Sequence, residues 1–216
     1  MKEIQLSTIE INTDNVKELE IIKTHFFLGI EDKKIISFLP TRWRKDVPIL
    51  TIQLAKSLAR GQRKVLLVNV DTANQSLFSS MDGRAGSGLF SVLTGETDLE
   101  YCICPTDIDG LSLLPLGEKP RFASELLSGT RFRETLNELK RQYDMVLLLL
   151  PAIDESYDGI EAAVQTDGSI VIISRDTSFK SIRIAIEMLR KRANLIGSIL
   201  VKSAYPWKHF FLHKSK

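Results

Sequence analysis

Residues 144–150 read Asp-Met-Val-Leu-Leu-Leu-Leu, a short run in which neighbouring positions are all apolar instead of alternating with polar ones. A strand inside a parallel sheet is buried on both faces and shows this continuous pattern. Four further runs have the same character, at 34–39, 64–70, 168–174 and 196–201. The sequence therefore predicts at least five central strands of one parallel sheet.

Segments with helical periodicity separate these runs. Their apolar residues recur every three or four positions, at Ile49, Ile52, Ala55 and Leu58, at Phe132, Leu136 and Leu139, and at Ile182, Ile186 and Leu189. Arg60-Gly61 after the first set is typical of a helix end. Strands that alternate with helices predict an α/β fold with a doubly wound, mainly parallel sheet and helices on both of its faces.

The organisation along the chain indicates one main domain over residues 31–204. Residues 1–30 are more polar, with a possible helix from Asp14 to Phe27, and we expect them to form an arm packed on this domain. Residues 205–216 form a tail that mixes aromatic and basic side chains. Such segments lie on anionic membrane surfaces, but docking onto the sheet edge or onto a partner fits this tail equally well.

Composition excludes several classes of function. A chain of 216 residues with 44% hydrophobic content can bury a sizeable core, and a net charge of +2 is too small to indicate nucleic-acid binding. Cys102 and Cys104 have no second pair, so we expect reduced thiols and no zinc or other metal site. The first residues lack a signal-peptide pattern, and the longest apolar run is far below the ~20 residues of a membrane span. We expect a cytoplasmic protein, with peripheral contact at the inner face of the plasma membrane as an option.

One stretch carries a specific resemblance. Residues 123–128 read Ala-Ser-Glu-Leu-Leu-Ser, and Arg131-Phe132-Arg133, Leu136, Leu139 and Tyr143-Asp144 follow. The stretch resembles the P-S-E-L-L-x-S-x-R-F motif region of bacterial tyrosine autokinases, a branch of the MinD and Mrp P-loop ATPases. Residues 88–96 and 113–117 resemble two further motifs of that family, and the similarity runs from about Asp32 to Val201.

The resemblance implies a phosphate-binding loop after the first strand, and this chain departs from it. A working loop needs glycines to curl around phosphate, a lysine on the terminal phosphates and a hydroxyl on magnesium. Residues 40–48 contain no glycine. Val47 takes the place of the lysine and Pro48 that of the hydroxyl residue, or Asp46 and Val47 in a register shifted by one. We therefore expect no triphosphate to be held in the usual way.

Three other family positions are altered as well. Asn69 replaces the first aspartate of the second acidic motif, although Asp71 remains, and Leu149 stands where the magnesium-orienting aspartate is expected. Val201 replaces an asparagine near the adenine. The C-terminal tyrosine cluster is reduced to Tyr205. The resemblance thus predicts that no cofactor is used, with ATP and Mg²⁺ only if the site is unorthodox.

Three basic residues follow the first strand, Arg42, Arg44 and Lys45. At a helix N-terminus they are candidates for a remnant anion site, because the helix dipole favours negative charge there. The alternative is a solvated basic loop with Trp43 filling the vacated nucleotide pocket. For Asp71 and Asp158 we expect structural capping roles.

The resemblance leads to an expected function, a catalytically inactive kinase-like or ATPase-like scaffold or regulator in exopolysaccharide biosynthesis and export. Its expected partner is the cytoplasmic segment of a membrane polysaccharide co-polymerase or an active homologue, with homo-oligomers as a further option. Two alternatives stay open: an active tyrosine autokinase or ATPase with unorthodox residues, and a MinD-like positioning factor.

Overall fold

A computed structural model describes residues 20–22, 24, 26, 29–30, 32–44, 46–74, 86–174 and 177–201. Its strands are β1 (Ile35–Pro40), β2 (Val65–Asn69), β3 (Cys104–Pro105), β4 (Leu111–Leu114), β5 (Met145–Leu149), β6 (Gly168–Ser174) and β7 (Leu195–Val201). Its helices are α1 (Asp46–Arg60), α2 (Leu89–Thr94), α3 (Leu99–Cys102), α4 (Ala123–Ser128), α5 (Thr130–Gln142), α6 (Asp158–Ala163) and α7 (Phe179–Arg192). The remaining part of the Asp14–Phe27 helix, Lys45 and the tail lie outside the described residues.

The strands form one seven-stranded sheet in the order β3-β4-β2-β5-β1-β6-β7. All neighbouring pairs are parallel except β3 with β4. The five strands predicted from continuous apolar runs are all present, each within one residue of the predicted bounds at either end. The predicted α/β fold class is confirmed.

Side chains alternate between two apolar clusters, one on each face of the sheet. On β5, Val146 and Leu148 point to the face covered by α2–α7, while Leu147 and Leu149 point to the opposite face. That opposite face, here called the α1 face, is covered by α1 together with Phe26 and Ile30. Burial of both faces explains why the central strands have no polar alternation.

Residues 88–96 and 113–117, which resemble two motifs of the family, meet at one backbone contact. Leu89 N–H donates to the Pro115 carbonyl at 2.8 Å, so the start of α2 is held against the segment after β4. A Cβ added to Gly88 would lie 2.3 Å from the backbone nitrogen of Gly117, where no side chain fits. The close approach therefore requires glycine at position 88.

Lysine and aspartate side chains tie the amino ends of the central strands to α5. The Asp167 carboxylate accepts the backbone N–H groups of Lys34 and Ile35, both at 3.0 Å, and lies 2.6 Å from Lys140 Nζ. Burial raises the pKa of Asp167, but these hydrogen bonds outweigh burial and leave the pKa below its usual value. The pair fixes β1 and β6 relative to α5.

Candidate functional site at the carboxyl edge of the sheet

Ligands of open parallel sheets bind beyond the carboxyl ends of the strands. In this chain β1, β2 and β5 end side by side, with Leu149 of β5 opposite both Phe38 of β1 and Asn69 of β2. The loop after β1 leads into α1, whose first residue is Asp46. The sheet therefore brings Val47, Pro48, Asn69, Asp71 and Leu149 to one edge.

The first turn of α1 offers few donors to an anion. Val47 N–H already donates to the Arg44 carbonyl at 3.1 Å, and Pro48 has no N–H at all. Proline is well tolerated in a first helical turn, because the N–H groups there have no partner within the helix. The same free N–H groups are what a phosphate would need.

Val47 and Leu149 belong to the same apolar cluster on the α1 face. Their exposed fractions are 1% and 2%. The positions that the resemblance assigns to a cationic lysine and a magnesium-orienting carboxylate are thus filled by hydrocarbon that is closed to water. Neither valine nor leucine can bind a phosphate oxygen or a hydrated cation.

Asn69 and Asp71 form a closed set of hydrogen bonds after β2. Asn69 Oδ1 accepts the Asp71 N–H at 3.0 Å, and Asp71 Oδ1 accepts the N–H groups of Ala73 and Asn74 at 3.1 and 3.0 Å. The Asp71 carboxylate thereby caps the turn that follows the strand. Burial raises its pKa to about 6, against the lowering effect of the two backbone donors.

A second carboxylate, Asp158 at the start of α6, joins three segments. Its Oδ2 accepts a hydrogen bond from Thr72 Oγ1 at 2.8 Å, and its Oδ1 accepts one from Ser124 Oγ. Lys119 Nζ lies 3.8 Å from Oδ2 and donates to the Thr72 carbonyl at 3.2 Å. Burial raises the Asp158 pKa, but the hydrogen bonds, led by those from Ser124 and Thr72, outweigh it and lower the pKa overall.

The Asp158 set is only partly visible in the sequence. Ser124 lies in the stretch that carries the resemblance, but nothing in the sequence pairs it with Thr72 or Lys119. The signal that could have found the set is the position of Asp158 at a helix start after a strand end, where a carboxylate satisfies nearby donors.

The two described basic residues after β1, Arg42 and Arg44, differ in exposure. Arg42 Nε lies 3.8 Å from Asp154 at the surface, and Arg44 and Trp43 are half-buried. Lys45 lies outside the described residues. Thr41, which the sequence analysis did not single out, fixes the loop through a 2.9 Å hydrogen bond to Thr177.

Val201 packs against the apolar cluster on the α1 face that contains Val47 and Leu149. It ends β7, the edge strand, and four strand positions separate β7 from β2. Cys102 and Cys104 are buried thiols without a disulfide, as predicted. Within the described residues no group of three or more His, Cys, Asp or Glu side chains is placed to hold a metal ion. No helix in the described ranges is both long enough and apolar enough to span a bilayer.

Sequence comparison finds similarity to bacterial tyrosine-protein kinases. It is 27% identical over 165 residues to tyrosine-protein kinase ptk of Acinetobacter johnsonii, covering 74% of this chain and 22% of that protein. Tyrosine-protein kinase CpsD of Streptococcus agalactiae is 28% identical over 153 residues, or 70% of this chain and 66% of the relative. CpsD of Streptococcus pneumoniae serotype 4 is 26% identical over 199 residues, or 86% of this chain and 88% of the relative. The chain spans less than two thirds of ptk and of the Streptococcus agalactiae protein, and no protein-family model matches it.

Solved structures share the fold of this chain. The kinase domain of Escherichia coli tyrosine kinase ETK superposes with a TM-score of 0.81 at 21% identity, over 95% of this chain and 84% of that one. The BceF tyrosine kinase domain gives 0.74 at 25% identity, over 86% and 76%. MinD of Pyrococcus horikoshii, complexed with Mg-ADP, gives 0.60 at 22% identity, over 77% and 69%. The chain is therefore a homologue of the bacterial tyrosine-protein kinases, built on the P-loop ATPase fold that their kinase domains share with MinD.

Proposed function

We propose that this chain is a catalytically inactive relative of the bacterial tyrosine-protein kinases, and that it acts as a scaffold or regulator in exopolysaccharide biosynthesis. The observation that carries the proposal is the shared burial of Val47 and Leu149 in one apolar cluster at the edge where the resemblance expects a triphosphate and a magnesium ion.

The residues present do not fit ATP and Mg²⁺. Phosphoryl transfer depends on positioning and on neutralising phosphate charge, which the family achieves with a lysine, backbone N–H groups and a metal-bound carboxylate. Here Pro48 removes one donor, and the Val47 N–H is engaged by Arg44. Asp71, the carboxylate that remains, already accepts two backbone hydrogen bonds in its own turn.

The proposed binding partner is taken from the resemblance to bacterial tyrosine autokinases. Family members work with polysaccharide co-polymerases, so we assign this chain a surface that binds the cytoplasmic segment of such a membrane protein, or an active homologue. The sheet, its packed helices and the Asp158 hydrogen bonds give a rigid body that needs no nucleotide to hold its shape. On this proposal the fold serves for binding and not for turnover.

The test is calorimetric titration with ATP and Mg²⁺, run beside thermal melting and Trp43 fluorescence. The kinase domain of Escherichia coli ETK, treated identically, is the positive control. We expect no heat, no melting shift and no phosphotyrosine from this chain. Micromolar binding would contradict the proposal and assign the lysine's task to Arg42, Arg44 or Lys45.

The partner is tested separately, by capture of a co-polymerase cytoplasmic segment on the immobilised chain with and without ATP. Nucleotide-independent capture is expected. Capture that requires ATP, or phosphorylation of the segment by this chain, would contradict the proposal and indicate an active kinase.

A further inference from the structure

Basic charge is concentrated at one end of the chain. From Met188 to Lys216 the sequence contains seven Lys and Arg residues and no Asp or Glu. The preceding 187 residues carry 22 Lys and Arg against 27 Asp and Glu. A nearly neutral protein therefore has an acidic body and a strongly basic C-terminal end.

Helix α7 turns part of this charge toward solvent. Arg192, which pairs with Glu161 at 2.7 Å, is exposed apart from the main group. That group is made of the exposed residues Phe179, Lys180, Arg183, Ile184, Glu187, Arg190 and Lys191. At 3.6 residues per turn they fall within an arc of about 140°. Leu189 is buried on the opposite side, and Ile182 and Ile186 are half-buried there. The exposed arc holds four cations and a single acid, Glu187, which lies 3.8 Å from Arg183.

Large apolar side chains lie beside these cations. Phe179 is 81% exposed, more than any other large hydrophobic side chain in the described part of the chain. Leu200 on β7 is 56% exposed and pairs in register with Ile173, one residue before β6 ends. Phe179 begins the helix that follows β6, so both side chains are at the carboxyl end of the sheet, near its free edge. We call Phe179, Ile184, Leu200 and the four cations of α7 the α7 face.

We propose that the α7 face binds the surface of an anionic membrane. Exposed aromatic and aliphatic residues that enter the headgroup region, flanked by Lys and Arg that meet anionic headgroups, are the composition of interfacial segments. An exposed apolar patch with a polar rim is itself typical of interaction surfaces. Charge complementarity selects an anionic partner.

The chain beyond β7 favours a lipid over an acidic protein segment. Residues 202–216 follow β7 in the sequence and carry four aromatic residues, Tyr205, Trp207, Phe210 and Phe211, among four lysines. A groove for an acidic peptide requires cations but not this excess of aromatic residues. This inference does not depend on the loss of catalysis.

The experiment is co-sedimentation of the full chain with vesicles of phosphatidylcholine alone or with phosphatidylglycerol added. Three variants test the surface. K180E/K191E removes two cations of the α7 face, Phe179→Ser removes its most exposed apolar side chain, and K208E/K214E removes two lysines of the tail. R60E/R141E is the matched control, because both arginines are exposed in the last turns of α1 and α5. Melting temperatures verify that each variant is folded.

We expect binding to the anionic vesicles only, weakening as salt rises. K180E/K191E should lower the partition coefficient by about tenfold or more, since each basic residue near an anionic surface contributes about fivefold. Phe179→Ser should lower the binding that persists at high salt. R60E/R141E should bind as the unaltered chain does.

Four results would overturn the proposal. The first is no binding to anionic vesicles, and the second is a loss of vesicle binding in R60E/R141E equal to that in K180E/K191E. The third is a loss of vesicle binding in K208E/K214E alone. The fourth is unchanged vesicle binding in K180E/K191E together with loss of its capture of an acidic protein segment. The third result would assign the membrane contact to the tail alone, and the fourth would make the α7 face a protein-binding surface.

Discussion

Thr72 Oγ1 donates a hydrogen bond of 2.8 Å to Asp158 Oδ2, and this contact joins the loop after β2 to the first turn of α6. Ser124 from α4 donates to the other carboxylate oxygen, so one side chain connects three segments that are distant in sequence. Lys119 compensates the charge.

Asp158→Ala should lower the free energy of unfolding by about 2–4 kcal/mol, because it leaves the Thr72 and Ser124 hydroxyls without their acceptor and Lys119 without its counter-charge. Urea denaturation measures the change. Asp98→Ala is the control, since Asp98 is exposed and its side chain makes no capping hydrogen bond. Equal losses in the two variants would refute the role given to Asp158.

Asp167 makes part of the stability sensitive to acid. Its pKa is lowered in the folded state, so its contribution is present above the unfolded pKa and is lost as pH falls through the folded one. Asp167→Asn retains an acceptor for the strand N–H groups but loses the charge that pairs with Lys140. We expect a loss of about 1–2 kcal/mol at neutral pH that shrinks as pH falls below 3.8, the usual pKa of an aspartate, and through the lower pKa of the folded state. A difference that stays constant with pH would contradict the assignment.

Asp71 should show the opposite dependence. Its folded pKa is raised from 3.8 to about 6. The folded state therefore holds the proton more tightly, and this stabilisation is present below about pH 4 and lost as pH rises through 6. Asp71→Asn keeps an Oδ1 acceptor for the turn without a charge. It should exceed the unaltered chain in stability by about 1–3 kcal/mol near pH 8 and match it near pH 4. Paired urea curves across this range test the prediction, which fails if Asp71→Asn is the less stable form at high pH.

Leu149→Asp restores the carboxylate that the resemblance expects. We predict a loss of about 3–5 kcal/mol, because an ionised group would enter an apolar cluster that is closed to water. No gain in ATP affinity should accompany it. Leu149→Met, similar in volume and apolar, is the control and should cost less than about 1.5 kcal/mol. ATP binding by Leu149→Asp would show that the edge can reopen.

Gln62 offers a stabilising change. It follows the end of α1 with φ at 60°, a left-handed conformation that favours glycine. Gln62→Gly should raise the free energy of unfolding by about 0.5–1 kcal/mol. Gln62→Ala keeps a Cβ and should give no such gain. Thermal melting distinguishes the two.

The central strands were predictable because burial on both faces gives a continuous apolar run. Helices were predictable over 46–60, 130–142 and 179–192 because burial on one face gives an apolar residue every three or four positions. β4 was not predicted as a strand. Its four residues, Leu111–Leu114, are too few to separate a strand from a loop, and β3 is shorter still. The sheet order also lies beyond a single sequence, since no local pattern states that β5 inserts between β2 and β1.

The candidate site, like the fold, was predictable only in part. That Val47, Pro48, Asn69 and Leu149 stand in place of the family's functional residues remains a prediction from the resemblance. That Val47 and Leu149 share one apolar cluster follows only from the crossing of α1 over β5. The partners of Asp158 come from segments up to 86 residues apart, a distance over which sequence spacing carries no information.

At the carboxyl edge of the sheet, the interior is filled by the side chains of Val47 and Leu149, which belong to the chain itself and are not a bound ligand. A protein whose interior is completed by a metabolite becomes more stable as that metabolite accumulates. If the chain binds no nucleotide, as we propose, its folded population does not change with ATP concentration, and neither does the surface that it offers to a partner.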